Sequence, residues 1–172
     1  MTDKATFTKV RYGPIAGWDV SAITDMSFLF NRIAGLPNFN VDISSWNTSR
    51  VTRMDFMFRS ASAFNQPLSF DTSSVTSMDS MFSSAAAFNQ PLSLDTSRVT
   101  NMAYMFYSAS AFNQPLSRLD TSSVTSMDAM FNNALAFNQP LSLDTSSVTI
   151  RRSQLFVPYS FRYSIMKWAR LH

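Results

Sequence analysis

The chain contains no cysteine, no glutamate, three glycines and a single histidine, His172, in 172 residues. Without cysteine there is no disulfide framework, no thiol nucleophile and no thiolate zinc site. Without a histidine inside the chain, its many serines have no imidazole to activate them. Glycine occurs only at positions 13, 17 and 35. No GxGxxG, phosphate-binding loop or HExxH motif is present, so nucleotide and zinc-protease chemistry are not expected. No apolar run reaches the roughly 18 residues of a membrane-spanning helix. The N-terminal stretch has no apolar core of the kind a signal peptide carries, so none is expected there.

Charge is scarce at 15%, against the roughly 25% of ordinary globular chains. All 11 acidic residues are aspartates. The net charge of +3 is unevenly placed. Residues 1–149 carry nine basic and 11 acidic side chains, a balance of −2, and residues 150–172 carry five basic and no acidic ones, +5. The basic pI therefore belongs to the C-terminal segment, and nucleic-acid binding by the whole chain is not expected.

What the chain has is a repeat. AFNQPLS recurs at Ala63–Ser69, Ala87–Ser93, Ala111–Ser117 and Ala136–Ser142. Between copies runs DTSxVTxMxxMF, and Phe58, Phe82, Phe106 and Phe131 hold one slot at separations of 24, 24 and 25 residues. A fixed period in the twenties is the signature of units that stack on their neighbours. A degenerate first copy begins at Trp18; copies follow from Trp46, Phe70, Leu94, Leu119 and Leu143, and the last breaks at Ile150.

Within Phe70–Ser93, Met78, Met81, Phe82, Ala85 and Phe88 recur at helical spacing. Thr76 with Asp79 resembles a helix N-capping box. Val75 and Thr76 follow the turn-prone Asp71-Thr72-Ser73-Ser74, which suits a short strand, and Asn89-Gln90-Pro91 ends the unit. The expected architecture is an α/β repeat solenoid: a right-handed, leucine-rich-repeat-like stack of about five coils, each with a short parallel strand, a short helix and a turn. Residues 1–17 are expected as an N-terminal cap, 18–149 as the repeats, and 150–172 as a basic aromatic C-terminal cap or docking tail.

The pattern DTSSVTxMxxMFxxAxxFNQPLS resembles the BspA-like repeat of bacterial surface proteins and lipoproteins, over roughly residues 12–149. The resemblance implies a leucine-rich-repeat-like fold, adhesion or protein binding rather than catalysis, and a frequently secreted or cell-surface location.

Each repeated polar column has a structural explanation beside a functional one. Asp71, Asp95, Asp120 and Asp144, with Asn47 before them, are expected to cap their own turns rather than hold cations. The Asn-Gln pairs from Asn65/Gln66 to Asn138/Gln139 are expected to form side-chain amide ladders. The methionine columns read as core, not soft-metal ligands. Two threonine files, Thr48, Thr72, Thr96, Thr121, Thr145 and Thr52, Thr76, Thr100, Thr125, Thr149, could match an ice-like lattice, a minor alternative to turn and cap roles.

From Ser160 onward the tail reads as a basic, aromatic, amphipathic helix. Arg151, Arg152, Phe156, Tyr159, Arg162, Tyr163, Lys167, Trp168 and Arg170 are the expected partner-binding residues. The expected function is a non-enzymatic scaffold or accessory subunit that binds other proteins, including within a large multi-subunit assembly. A cell-surface adhesion module is the alternative, and membrane-surface contact by the tail a weaker one. No catalytic residue, cofactor, metal, nucleic acid or small-molecule substrate is expected.

Overall fold

A computed structural model describes residues 12–31, 38–141, 143–144 and 146–148. Among them there is no α-helix and no β-strand; one short 3-10 turn spans Ile15–Gly17. The expected α/β solenoid, with a strand and a helix in every coil, is therefore not what the described residues form. Each repeat is a succession of tight turns, and neighbouring repeats are joined through their backbones.

The missing helix has a local cause. A helix over residues 78–85 would direct each amide to the carbonyl four residues back. Instead the amides of Met81, Ser83 and Ala85 donate to Met78, Ser80 and Phe82, three residues back, at 3.3, 3.0 and 3.1 Å. Ser80 and Ser84 lie between them in the left-handed region, at φ 53 and 58. The alternate amides leave the repeat altogether. Met78, Ser80, Phe82 and Ser84 donate to the carbonyls of Asn101, Ala103, Met105 and Tyr107 at 3.0, 2.8, 2.9 and 2.7 Å. The same left-handed positions recur at Phe56 and Ser60, Tyr104 and Ser108, and Ala129 and Asn133.

A left-handed non-glycine residue costs about 1–2 kcal/mol. A hydrogen bond contributes about 0.5–1.5 kcal/mol net. Two strained residues cost about 2–4 kcal/mol and four cross-repeat bonds return about 2–6 kcal/mol, so the bonds to the next repeat offset the strain.

The missing strand has a similar origin. Single parallel bridges join Asp25 to Arg53, Arg53 to Ser77, Ser77 to Asn101 and Asn101 to Ser126. Each is confined to one residue, because a turn closed by Val75 N–H on Thr72 O precedes it and the Met78–Met81 turn follows. Thr76 does not cap a helix. Its amide and hydroxyl both donate to the Thr52 carbonyl of the preceding repeat, at 2.9 and 3.2 Å.

The apolar spacing read as one helical stripe serves these turns equally well. Met78, Met81, Phe82, Ala85 and Phe88 are fully buried, and their counterparts in the neighbouring repeats are buried too. Phe82 stacks on Phe88 at 4.1 Å between centroids, and on Phe58 and Phe106 of the repeats on either side at 5.5 and 5.7 Å. The core is thus a double file of phenyl rings flanked by two methionine files. The change of period from 24 to 25 is absorbed outside it. Arg118 is the extra residue, and it sits in an exposed turn closed by Leu119 N–H on Leu116 O at 3.1 Å.

Candidate interaction surface

The polar columns are consumed by the stack itself. Asn89 Oδ1 accepts the amide of Asn113 at 2.9 Å and the Gln114 side chain at 3.1 Å, and Asn65 does the same for Asn89 and Gln90. The ladder runs from Asn40 to Asn138. Thr48, Thr72, Thr96 and Thr121 are buried and donate their hydroxyls to the carbonyls of Asp71, Asp95, Asp120 and Asp144 at 2.7–2.9 Å. That burial removes the first threonine file from any lattice-facing surface. The second file stays partly exposed, but its hydroxyls from Thr52 to Thr125 are donated to the preceding repeat.

The aspartate column lies exposed along one side. Asp95 Oδ1 accepts from the Ser97 hydroxyl at 2.7 Å and its amide at 3.0 Å, and Asp71 and Asp120 repeat this with Ser73 and Ser122. These serine bonds, the hydroxyl first and the amide second, hold the Asp95 carboxyl below its ordinary range; Asp71 and Asp120 push it back slightly. The carboxylates therefore cap turns. Among the described residues no group of three or more potential ligands is placed to hold a metal ion.

The backbone registers that begin with Arg53, Phe56 and Arg59 change residue type along the stack. Successive copies place Arg53, Ser77, Asn101 and Ser126 in one register, and Phe56, Ser80, Tyr104 and Ala129 in another. A further register holds Arg59, Ser83, Tyr107 and Asn132. Phe28 stacks on Phe56 at 4.6 Å, the Arg59 guanidinium lies 5.5 Å over the Phe56 ring, and Tyr104 meets Tyr107 edge to face at 6.0 Å. Phe28 and Tyr104 are exposed.

Beside the aromatic groups runs a polar seam. The buried Asp55 carboxylate accepts Arg53 Nε and Nη2, each at 2.7 Å, the Ser77 hydroxyl, and the Asp79 amide at 3.1 Å. Asp79 in turn accepts the Ser80 hydroxyl at 2.6 Å, which ties the seam to the aromatic register. A buried charge held by this many donors is fixed in place, so the ridge beside it is preorganised.

The expected tail residues Arg151, Arg152, Phe156, Tyr159, Arg162, Tyr163, Lys167, Trp168 and Arg170 lie outside the described residues. Phe28, Phe56, Arg59, Tyr104 and Tyr107 were not among the expected site residues. The available signal was variation between the chain's own repeats: core and ladder columns repeat one residue type, whereas these registers do not.

A stack of near-identical units with one variable, aromatic-bearing side defines the general class of this molecule. More particularly, the chain belongs to the family described as Mycoplasma protein of unknown function, DUF285, whose model matches residues 1–95 and again residues 92–170. No curated protein and no solved structure matches it.

Proposed function

We propose that this chain is a non-enzymatic interaction protein, a scaffold or accessory subunit that binds other proteins through the variable side of its repeats and its basic C-terminal segment. The observation that carries this reading is the division of labour among the columns. Aspartate, asparagine, glutamine and threonine are spent on hydrogen bonds within and between repeats. The residues that differ from repeat to repeat include the exposed Phe28 and Tyr104 and the arginine beside Phe56. Aromatic and arginine side chains contribute most of the energy in protein interfaces, and beside Phe56 the Asp55 carboxylate ties Arg53 to Ser77.

The test is affinity capture from the native source with four proteins: wild type, Phe56→Ala, Tyr104→Ala, and a chain lacking residues 150–172. Loss of the same partner from a surface variant and from the tail deletion, with folding intact by circular dichroism, is the expected result. A partner set unchanged across all four removes the proposal.

A further inference from the structure

Two registers of the variable side alternate between large and small side chains. The second repeat places Phe56 and Arg59 there, the third Ser80 and Ser83, and the fourth Tyr104 and Tyr107. Ser80 and Ser83 are 5% and 6% exposed, whereas Tyr104 is 41% exposed. Two small, buried residues thus floor a cleft between two ridges. At about 4.8 Å per repeat the ridges stand about 10 Å apart, which leaves room for one side chain of a ligand. Stacking stiffens the first ridge. Phe28 lies on Phe56 with 9° between the ring planes, and the Arg59 guanidinium sits 5.5 Å over the Phe56 ring.

Donors and acceptors around the cleft are out of balance. The carboxylates beside it are already spent. Asp55 accepts from Arg53, Ser77 and the Asp79 amide, and Asp79 accepts from the Ser80 hydroxyl and from Asn101 Nδ2 at 3.4 Å. The donors are not spent. Among the described residues the half-buried Arg59 guanidinium has no ion pair and no hydrogen bond, and the hydroxyls of Ser83, Tyr104 and Tyr107 have no acceptor. A guanidinium fork against an aromatic ring and a hydroxyl on a nearly buried serine both lack the acceptor that such groups are ordinarily given.

We infer that the cleft over Ser80 and Ser83 takes a carboxylate side chain of a partner protein, an inference that rests on the reading of this side as a protein-binding surface. A guanidinium binds a carboxylate through two parallel N–H bonds, and the Phe56 ring holds the Arg59 fork in place for it. One free cation beside the Asp55 and Asp79 charges favours a monoanion over the nearly doubly charged phosphate. The tyrosine rings of the far ridge suit apolar residues on either side of the acid. The chain's own acids supply little competition. Every aspartate but Asp3 lies among the described residues, and none of these pairs with Arg59; residues 150–172 contain no acidic side chain.

The test pans a displayed library of random peptides against the full chain and measures the selected sequence, as a labelled synthetic peptide, by fluorescence anisotropy. A consensus with one aspartate or glutamate between apolar residues is expected. Arg59→Gln in the protein and the matching amide in the peptide should each weaken binding by about tenfold or more, and together no further, because both remove the same pair. Tyr107→Phe and Ser83→Ala should each weaken it by about two- to tenfold. Arg98→Gln, in an exposed aspartate turn, should leave it unchanged. With every variant folded by circular dichroism, failure to select any peptide, or affinity indifferent to Arg59→Gln, overturns the inference. A consensus without an acid that still requires Phe56 and Tyr104 also overturns it, while leaving the variable side standing as an interaction surface. Tighter binding when phosphoserine replaces the acid overturns the choice of a carboxylate. Tighter binding to Asp3→Asn overturns the choice of a separate partner, because it places the chain's own carboxylate in the cleft.

Discussion

Ser84 separates the turn architecture from a helix by the sign of one energy difference. It sits at φ 58, its amide donates to Tyr107 O at 2.7 Å, and it is half-buried. In the interior of a helix, glycine is about 1 kcal/mol worse than alanine. In the left-handed region the order inverts. Alanine carries a Cβ penalty of about 1–2 kcal/mol that glycine avoids. Glycine gives back about 0.5–1 kcal/mol through the greater freedom of its unfolded chain. Ser84→Gly should therefore be more stable than Ser84→Ala by up to about 1.5 kcal/mol, the gap between those two ranges.

Urea denaturation followed by circular dichroism measures the gap, provided both variants keep the m-value of the parent. Ser60, at φ 59 in the preceding repeat, allows the same pair of substitutions as an independent replicate. A Ser84→Ala protein more stable than Ser84→Gly, at both sites, would refute the left-handed turn and restore a helix.

Two further predictions probe the polar columns. Asn89→Ala removes the acceptor for the Asn113 amide and for one Gln114 bond, and should cost about 1–3 kcal/mol. Asn89→Asp keeps the acceptor oxygen and should cost clearly less, and Asn138→Ala, at the end of the ladder, should be nearly silent; equal losses for all three in urea melts would dispose of the ladder as a stabilising element. The aspartate column predicts a pH dependence. Its folded carboxyls lie below the ordinary aspartate value of 3.8, so their contribution is complete above that value and is lost as pH falls through the lower folded values. Asp95→Asn keeps the turn, as Asn47 does with Ser49 at 2.8 and 3.2 Å, and should flatten the stability profile below about pH 4. An unchanged profile between about pH 5 and 2 would show that these carboxyls titrate alike in both states.

Much of the packing was legible because the repeat supplies its own internal alignment. A column that holds methionine or phenylalanine in every copy has to face inward, and Met78, Phe82 and Phe88 do. The asparagine ladder and the aspartate turns were legible for the same reason, since one side chain repeated at one register meets its own copy next door. The secondary structure was not. Spacings of three and four residues fit a helix and fit a run of tight turns, and the choice lies in where the amides of Ser80, Phe82 and Ser84 find acceptors.

The sequence by itself determined which side chains are core, which polar columns pair with their own copies, and where the repeat changes period. Only the tertiary structure decided that the backbone gives up helical bonds for bonds to the next repeat, because those acceptors exist only once the neighbour is in place. It also decided that Phe28, Phe56, Arg59, Tyr104 and Tyr107 share one side of the stack. Residues from different repeats are brought together by stacking, a contact that no single repeat encodes.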